Sequence, residues 1–168
     1  GVSKFSFEEY LHCFRHIQVN PLHSVSLRYG NVYGPRQDSK GEAGVIAIFT
    51  DKFMANQQPI INGDGRNTRD FVYVDDVVQA NWLALRKKTN HFVFNIGTSK
   101  ETSINDIFKK LKKLTNSKLK SKHGPAKAGE ERRGSLDCTR AKRELGWRAK
   151  VDLDEGLDLT VQWFRETQ

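Results

Sequence analysis

At 168 residues and 37% hydrophobic content the chain is long enough for one domain with a real core; no apolar run approaches a membrane span and no leader-like pattern opens it, so no membrane partner is expected. The net charge of +8 is local: ten Lys/Arg against two Glu lie between residues 109 and 133, and the remainder balances at 18 against 18, which excludes a general nucleic-acid footprint. Two cysteines without metal spacing, Cys13 and Cys138, indicate a reduced, cytoplasmic protein, and His12 with His16 lacks a third ligand, so no metal is expected.

Phe7, Tyr10, Leu11 and Phe14 recur at helical spacing and predict a helix over 3–18, broken by Asn20-Pro21. Val25, Leu27 and Tyr29 alternate, which predicts a strand over 24–29. A turn-rich loop is expected from Gly30 to Gly44. Ile46, Phe49, Phe53 and Met54 then mark a helix over 45–56.

Pro59 to Asn62 reads as a short strand closed by Gly63-Asp64-Gly65, and 69–74 as another. Asp75-Asp76 suits a helix start, with Val78, Trp82 and Leu85 as its buried stripe. Phe92 to Ile96 reads as a buried parallel strand ending at Gly97. Ser103 and Asp106 resemble a capping box ahead of a helix whose apolar stripe is Ile104, Ile107, Phe108, Leu111 and Leu114. Lys109, Lys110, Lys112 and Lys113 lie opposite that stripe, on a solvated face. Residues 115–135 are the least regular. A short helix over 139–145 stops at Gly146, and Asp154-Glu155 opens the last helix, with Leu157, Val161 and Phe164 on one side. Strands alternating with helices predict an α/β fold.

Four stretches carry chemistry. Lys4 stands at the head of an amphipathic helix. Tyr29, Gly30 and Asn31 end a strand at its C-terminal edge, where open α/β sheets bind ligands. Gly41-Glu42-Ala43-Gly44-Val45 runs into a helix whose free N–H groups make a site for a phosphate or a uracil carbonyl. Arg69 follows a tight turn, and a guanidinium suits bidentate contact with phosphate. Asp70 and Asp76 are expected to be structural, one pairing near the strand and one capping the helix. No Gly-x-Gly-x-x-Gly pattern occurs in the 168 residues.

Gly1-Val2-Ser3-Lys4, the run Leu27-Arg28-Tyr29-Gly30-Asn31-Val32-Tyr33-Gly34-Pro35-Arg36-Gln37 and the segment Gly63-Asp64-Gly65 to Thr68-Arg69-Asp70-Phe71-Val72-Tyr73-Val74-Asp75-Asp76 together resemble the extended short-chain dehydrogenase/reductase family. Within it they are most like the UDP-glucose 4-epimerase branch of the nucleotide-sugar epimerases and dehydratases. Leu145-Gly146-Trp147 and Leu153-Asp154-Glu155-Gly156-Leu157 fit the C-terminal signature, in packing and capping roles.

The resemblance implies the C-terminal part of such an enzyme. Residues 1–36 would be a remnant of the NAD-binding Rossmann domain, and 37–168 mainly the substrate-binding region, with the helix and strand over 75–97 returning to the Rossmann sheet. The family's active tyrosine belongs one position before Gly1. By the same resemblance Lys4 hydrogen-bonds the nicotinamide ribose and lowers the pKa of that tyrosine, a cation favouring a phenolate that can act as general base. Tyr29 lies beside the nicotinamide end of NAD, while Asn31 and Arg69 hold the substrate diphosphate. Gly44 and Val45 meet the nucleotide. Lys127 replaces a phosphate-supporting arginine, and Asn62 stands where relatives frequently carry an aromatic residue near the uracil.

The implied reaction inverts C4 of a UDP-hexose through a 4-keto sugar, with NAD as cofactor, in a parent enzyme that is a homodimer. The isolated chain is expected to be inactive. A 4,6-dehydratase or decarboxylase of the same family, or a non-catalytic binding module, is the alternative.

Overall fold

Two short parallel strand pairs meet end to end at Gly30 in the computed structural model, which describes residues 1–17, 19, 22–41 and 43–167. Strand β1 (Ser26–Tyr29) pairs with β6 (Val93–Ile96), and β2 (Asn31–Tyr33) pairs with β5 (Phe71–Tyr73). Two further pairs flank them. β3 (Ile60–Asn62) runs parallel to β8 (Lys122–Gly124), and β4 (Thr68–Arg69) antiparallel to β7 (Thr102–Ser103). The helices are α1 (Val2–Arg15), α2 (Val45–Met54), α3 (Val74–Arg86), α4 (Ile104–Leu114) and α5 (Leu153–Thr167). A π-type turn, Ala141–Leu145, ends at Gly146, whose φ of 65° meets the left-handed conformation of a helix terminus.

Alternation along β5 divides the core. Phe71 and Tyr73 enter a cluster with Phe49, Phe108 and Leu157, while Val72 faces a second cluster built on Phe94, Ile96 and Trp147. A strand places successive side chains on opposite faces, so three residues serve two layers. The expected α/β class with parallel strands is what the structure has.

The strand expected over 69–74 is interrupted at Asp70, which separates β4 from β5. The expected loop after Gly30 contains β2, and the irregular 115–135 contains β8. The capping box is present: the Ser103 hydroxyl accepts from the Asp106 N–H and donates to its carboxylate. The Asn20-Pro21 break lies outside the described residues.

One stripe is corrected. Val78, Trp82 and Leu85 of α3 are exposed, and the helix buries Asp76, Val77 and Ala80 instead. Small Ala80, with half-buried Leu83 and Ala84, lets the backbone of α3 approach the sheet, while Trp82 lies under the Arg86 guanidinium. Among the described residues no helix is long and apolar enough to cross a membrane.

Helix α1 buries no residue, and Phe7, Tyr10 and Phe14 are exposed. Arg28 of β1 grips Glu8 in a two-pronged ion pair, and Arg15 donates to the Ser24 carbonyl while covering the Phe92 ring. The hydrogen bond from Arg28 holds the Glu8 carboxyl below its ordinary value of 4.5. A carboxyl depressed in the fold contributes stability above its unfolded pKa and loses it as pH falls through the folded one. Acidification below about 4.5 is therefore expected to loosen α1 before the core. Hydrogen exchange at α1 should rise in that window for the wild type. Arg28→Ala should show the looser α1 already at neutral pH, and a pH-independent α1 in the wild type would contradict this.

Candidate functional site

The joint between the two strand pairs is made by Gly30. Its N–H donates to Ile96 O at 2.8 Å, and the next amide, Asn31 N–H, donates to Asp70 O at 2.6 Å. A Cβ on residue 30 would sit 2.7 Å from that same Asp70 carbonyl, so only glycine lets the chain pass from β1 to β2 here. Asn31 is thereby set opposite Phe71, directly beside the Arg69-Asp70 step.

Asp70 is the hub. It is 3% exposed, and its carboxylate accepts from Thr98 N–H (2.7 Å), the Thr98 hydroxyl (2.7 Å), Ser99 N–H (2.9 Å) and Leu136 N–H (3.1 Å). The structural role expected of it is borne out, with backbone amides of two loops as the main donors. Asp76 differs from expectation. Its carboxylate accepts from the Lys150 and Val151 amides at 3.0–3.1 Å and makes no side-chain cap on α3.

Arg69 is half-buried and its guanidinium is partly committed. Nη1 donates to Thr68 O and Glu131 O at 2.7 Å each, and Nη2 to Glu130 Oε1 at 3.2 Å. Nε makes no hydrogen bond among the described residues. The loop that Arg69 holds also carries Lys127, exposed, whose carbonyl accepts from Glu130 N–H. The same loop packs Ala126 against Gly63 and pairs Arg132 with Asp64 at 3.0 Å. Asn62 leads into this corner as the last residue of β3.

Gly44 precedes α2 with extended backbone, and the first turn of α2 has neither a side-chain cap nor an acidic residue. Among the described residues, then, no side chain takes its first N–H groups, which suit an acceptor. Gln37 links this helix start to the strand joint. It donates to Val32 O at 3.2 Å and lies against Gly44. Lys4 approaches from the other side, where it lines an open groove of about 930 Å³ between α1 and β1 with Tyr29 and Gly30.

Two groups result. Asn31 is tied to Asp70 beside Arg69 at the β2–β5 end, Gln37 links Gly44 to β2, and Glu130 and Glu131 tie the loop that carries Lys127 to Arg69, while Lys4 with Tyr29 lines the groove along β1. Gly30 belongs to both. The Tyr29 ring turns toward α3, where its hydroxyl donates to Asn81 Oδ1 at 2.9 Å, and Asn81 is fixed in turn by Val77 O. Sequence reasoning missed Gln37, Asn81 and Glu130. Nothing local marks a glutamine in a polar loop or an asparagine on a helix as a tether. Glu130 could have been found from its place in the loop that carries Lys127.

Comparison with known proteins bears on what this arrangement serves. Residues 1–97 match the family described as NAD dependent epimerase/dehydratase. A crystal structure of UDP-glucose 4-epimerase with UDP-glucose from Thermotoga maritima is 50% identical and superposes with a TM-score of 0.95, over 99% of this chain and 53% of that one. A Thermus thermophilus UDP-glucose 4-epimerase in complex with NAD is 36% identical with a TM-score of 0.90, over 99% of this chain and 54% of that one. UDP-glucose 4-epimerase of Mycolicibacterium smegmatis is 40% identical over 98% of this chain and 52% of its own length. The chain thus spans about half the length of the relatives it matches.

Proposed function

Since the chain belongs to the NAD dependent epimerase/dehydratase family, we propose that it forms the substrate-gripping part of an enzyme that inverts C4 of a UDP-hexose. The observation that carries this is the Gly30 joint, which sets Asn31 beside Arg69 at the strand ends while Lys4 lines the groove on the same joint. The half-identical Thermotoga maritima structure, with UDP-glucose, supports the choice of sugar nucleotide.

In this reading Asn31, the Nε side of Arg69 and Lys127 hold the diphosphate, and the first amides of α2 behind Gly44 and Val45 take the nucleotide. The cofactor supplies hydride acceptance and return at C4. The residues present fit only its nicotinamide end: Lys4 beside Tyr29 and Gly30. Lys4 orients the ribose and, as a cation, favours the ionised form of a phenol placed beside it. With the Tyr29 hydroxyl committed to Asn81, its ring edge and backbone are what it offers there.

Residues 1–36 together with 75–97 form the cofactor side of this proposal and the remainder the substrate side. Two copies of the whole enzyme would pair, the exposed aromatic residues of α1 being a surface suited to burial. A reduced cytoplasmic setting suits the two free thiols.

Calorimetry on the chain tests the grip. UDP-glucose should bind weakly and saturably, and Arg69→Ala should weaken it about tenfold, the equivalent of one charge-assisted hydrogen bond. NAD should show no micromolar site, since no glycine-rich cradle is present. Joined to the half of the Thermotoga maritima relative that this chain does not span, it should interconvert UDP-glucose and UDP-galactose, with Lys4→Met lowering kcat by about 100-fold. Binding of both ligands without C4 inversion, or formation of a 4-keto-6-deoxy product instead, would sink the epimerase reading.

A further inference from the structure

A second concave site lies away from the strand joint. A cavity of about 420 Å³ opens between the exit of β6 and the start of α5, floored by Phe71 and Trp147. Lys4, Tyr29, Asn31, Gly44, Val45, Arg69 and Lys127 are all absent from its walls. Four cations from three segments line it: Lys100 after β6, Lys142 in the π-type turn, and Arg148 with Lys150 before α5.

None of the four has a carboxylate within ion-pairing distance among the described residues, although most other arginines near the site do. The one acid on the wall, Asp152, already caps α5 by accepting from Glu155 N–H at 2.9 Å. Neighbouring Asp154 is taken by Lys110, and Asp137 accepts from Thr139 N–H at 2.9 Å.

The walls are fixed by two buried carboxylates. Asp70 pins the turn at Thr98 and Ser99, holding Ser99 at a φ of 60°, an uncommon conformation for a residue other than glycine. Asp76 pins Lys150 and Val151, and its carbonyl accepts from Trp147 Nε1 at 2.8 Å. Four cationic side chains thus surround one hollow against a single acid on its wall, Asp152, with the carboxylates of Asp70 and Asp76 spent on backbone amides behind it. Such a concave lining with an excess of positive charge raises the local concentration of anions, and the volume is that of a small-molecule site.

We propose that this cavity binds a small anion carrying a di- or triphosphate, at a site separate from the sugar-nucleotide grip. Ammonium and guanidinium groups are the donors that phosphate oxygens take best, and four of them exceed what a single phosphate needs.

Tripolyphosphate and inorganic pyrophosphate, titrated calorimetrically into the full chain at about 0.15 M salt to screen surface charge, provide the test. One saturable site per chain is expected. Lys100→Ala combined with Arg148→Ala should weaken it at least tenfold, as should Lys142→Ala combined with Lys150→Ala. These side chains are exposed and unpaired, so circular dichroism should show both variants folded. Lys112→Ala with Lys113→Ala, on the basic face of α4, should leave the affinity within about twofold. Absence of saturable binding overturns the proposal, as does an equal loss in the α4 variant. Binding that Arg69→Ala abolishes, or that UDP displaces, also overturns it, because the anion then sits in the nucleotide grip.

Discussion

Replacing Asp70 by alanine is expected to lower the free energy of unfolding by about 3–5 kcal/mol, among the largest effects of any substitution in this chain. The carboxylate is buried and accepts four hydrogen bonds, three of them from backbone amides. Removing it takes the acceptor from the Thr98, Ser99 and Leu136 N–H groups, at about 1–3 kcal/mol for each that water does not reach. Against a total of about 5–15 kcal/mol for a domain, the variant should be close to unfolding, and urea denaturation gives the number. Asp70→Asn keeps an acceptor oxygen but puts an NH₂ group toward donors, so it should fall between the two. The substitution also reaches the candidate site. Asp70 O fixes the Asn31 amide, and Arg69 precedes it, so Asp70→Asn should weaken UDP-glucose binding even where the variant remains folded. A shift in urea midpoint under about 1 kcal/mol for Asp70→Ala would show that water replaces the carboxylate, contrary to the role assigned here.

Local chemistry made much of this legible in the sequence. Helices α4 and α5 follow from one apolar stripe each, the cap at Ser103 from two residues three apart, and the turn at Gly63-Asp64-Gly65 from its composition. The clustering of Asn31 and Arg69 came from resemblance alone, because residues 38 apart in sequence share an edge only once β2 and β5 pair. What could not be read is tertiary tethering. Strands of two or three residues, such as β2, β4, β7 and β8, carry too little pattern to announce themselves. The partners of Asp70 lie 28 and 66 residues away, and no local signal fixes which amides a buried carboxylate will accept from. The basic cavity was invisible for the same reason: Lys100, Lys142, Arg148 and Lys150 are unremarkable singly, and only the fold places them around one hollow.

The same limit produced the misassigned stripe on α3, and two tryptophans separate the readings by experiment. Trp147, 1% exposed, packs with Val72, Phe94, Ile96 and Leu145 and donates its indole N–H to Asp76 O. Trp82, 56% exposed, touches Arg86. Trp147→Ala is expected to cost about 3–5 kcal/mol, the transfer term of a large aromatic side chain plus the cavity it leaves. The Asp76 carbonyl would lose its donor as well, and the wall at Lys150–Val151 would loosen, so anion binding in the cavity should fall with stability. Trp82→Ala should change stability by about 0.5 kcal/mol or less, since an exposed ring loses only a surface cation–π contact. Chemical denaturation of both variants decides between the two faces of α3. If Trp82→Ala proves the costlier, the helix buries the 78/82/85 stripe in solution and the packing through Val77 and Ala80 is wrong. If Trp147→Ala alone is severe, the second cluster is the core that holds α3, β6 and the cavity wall together.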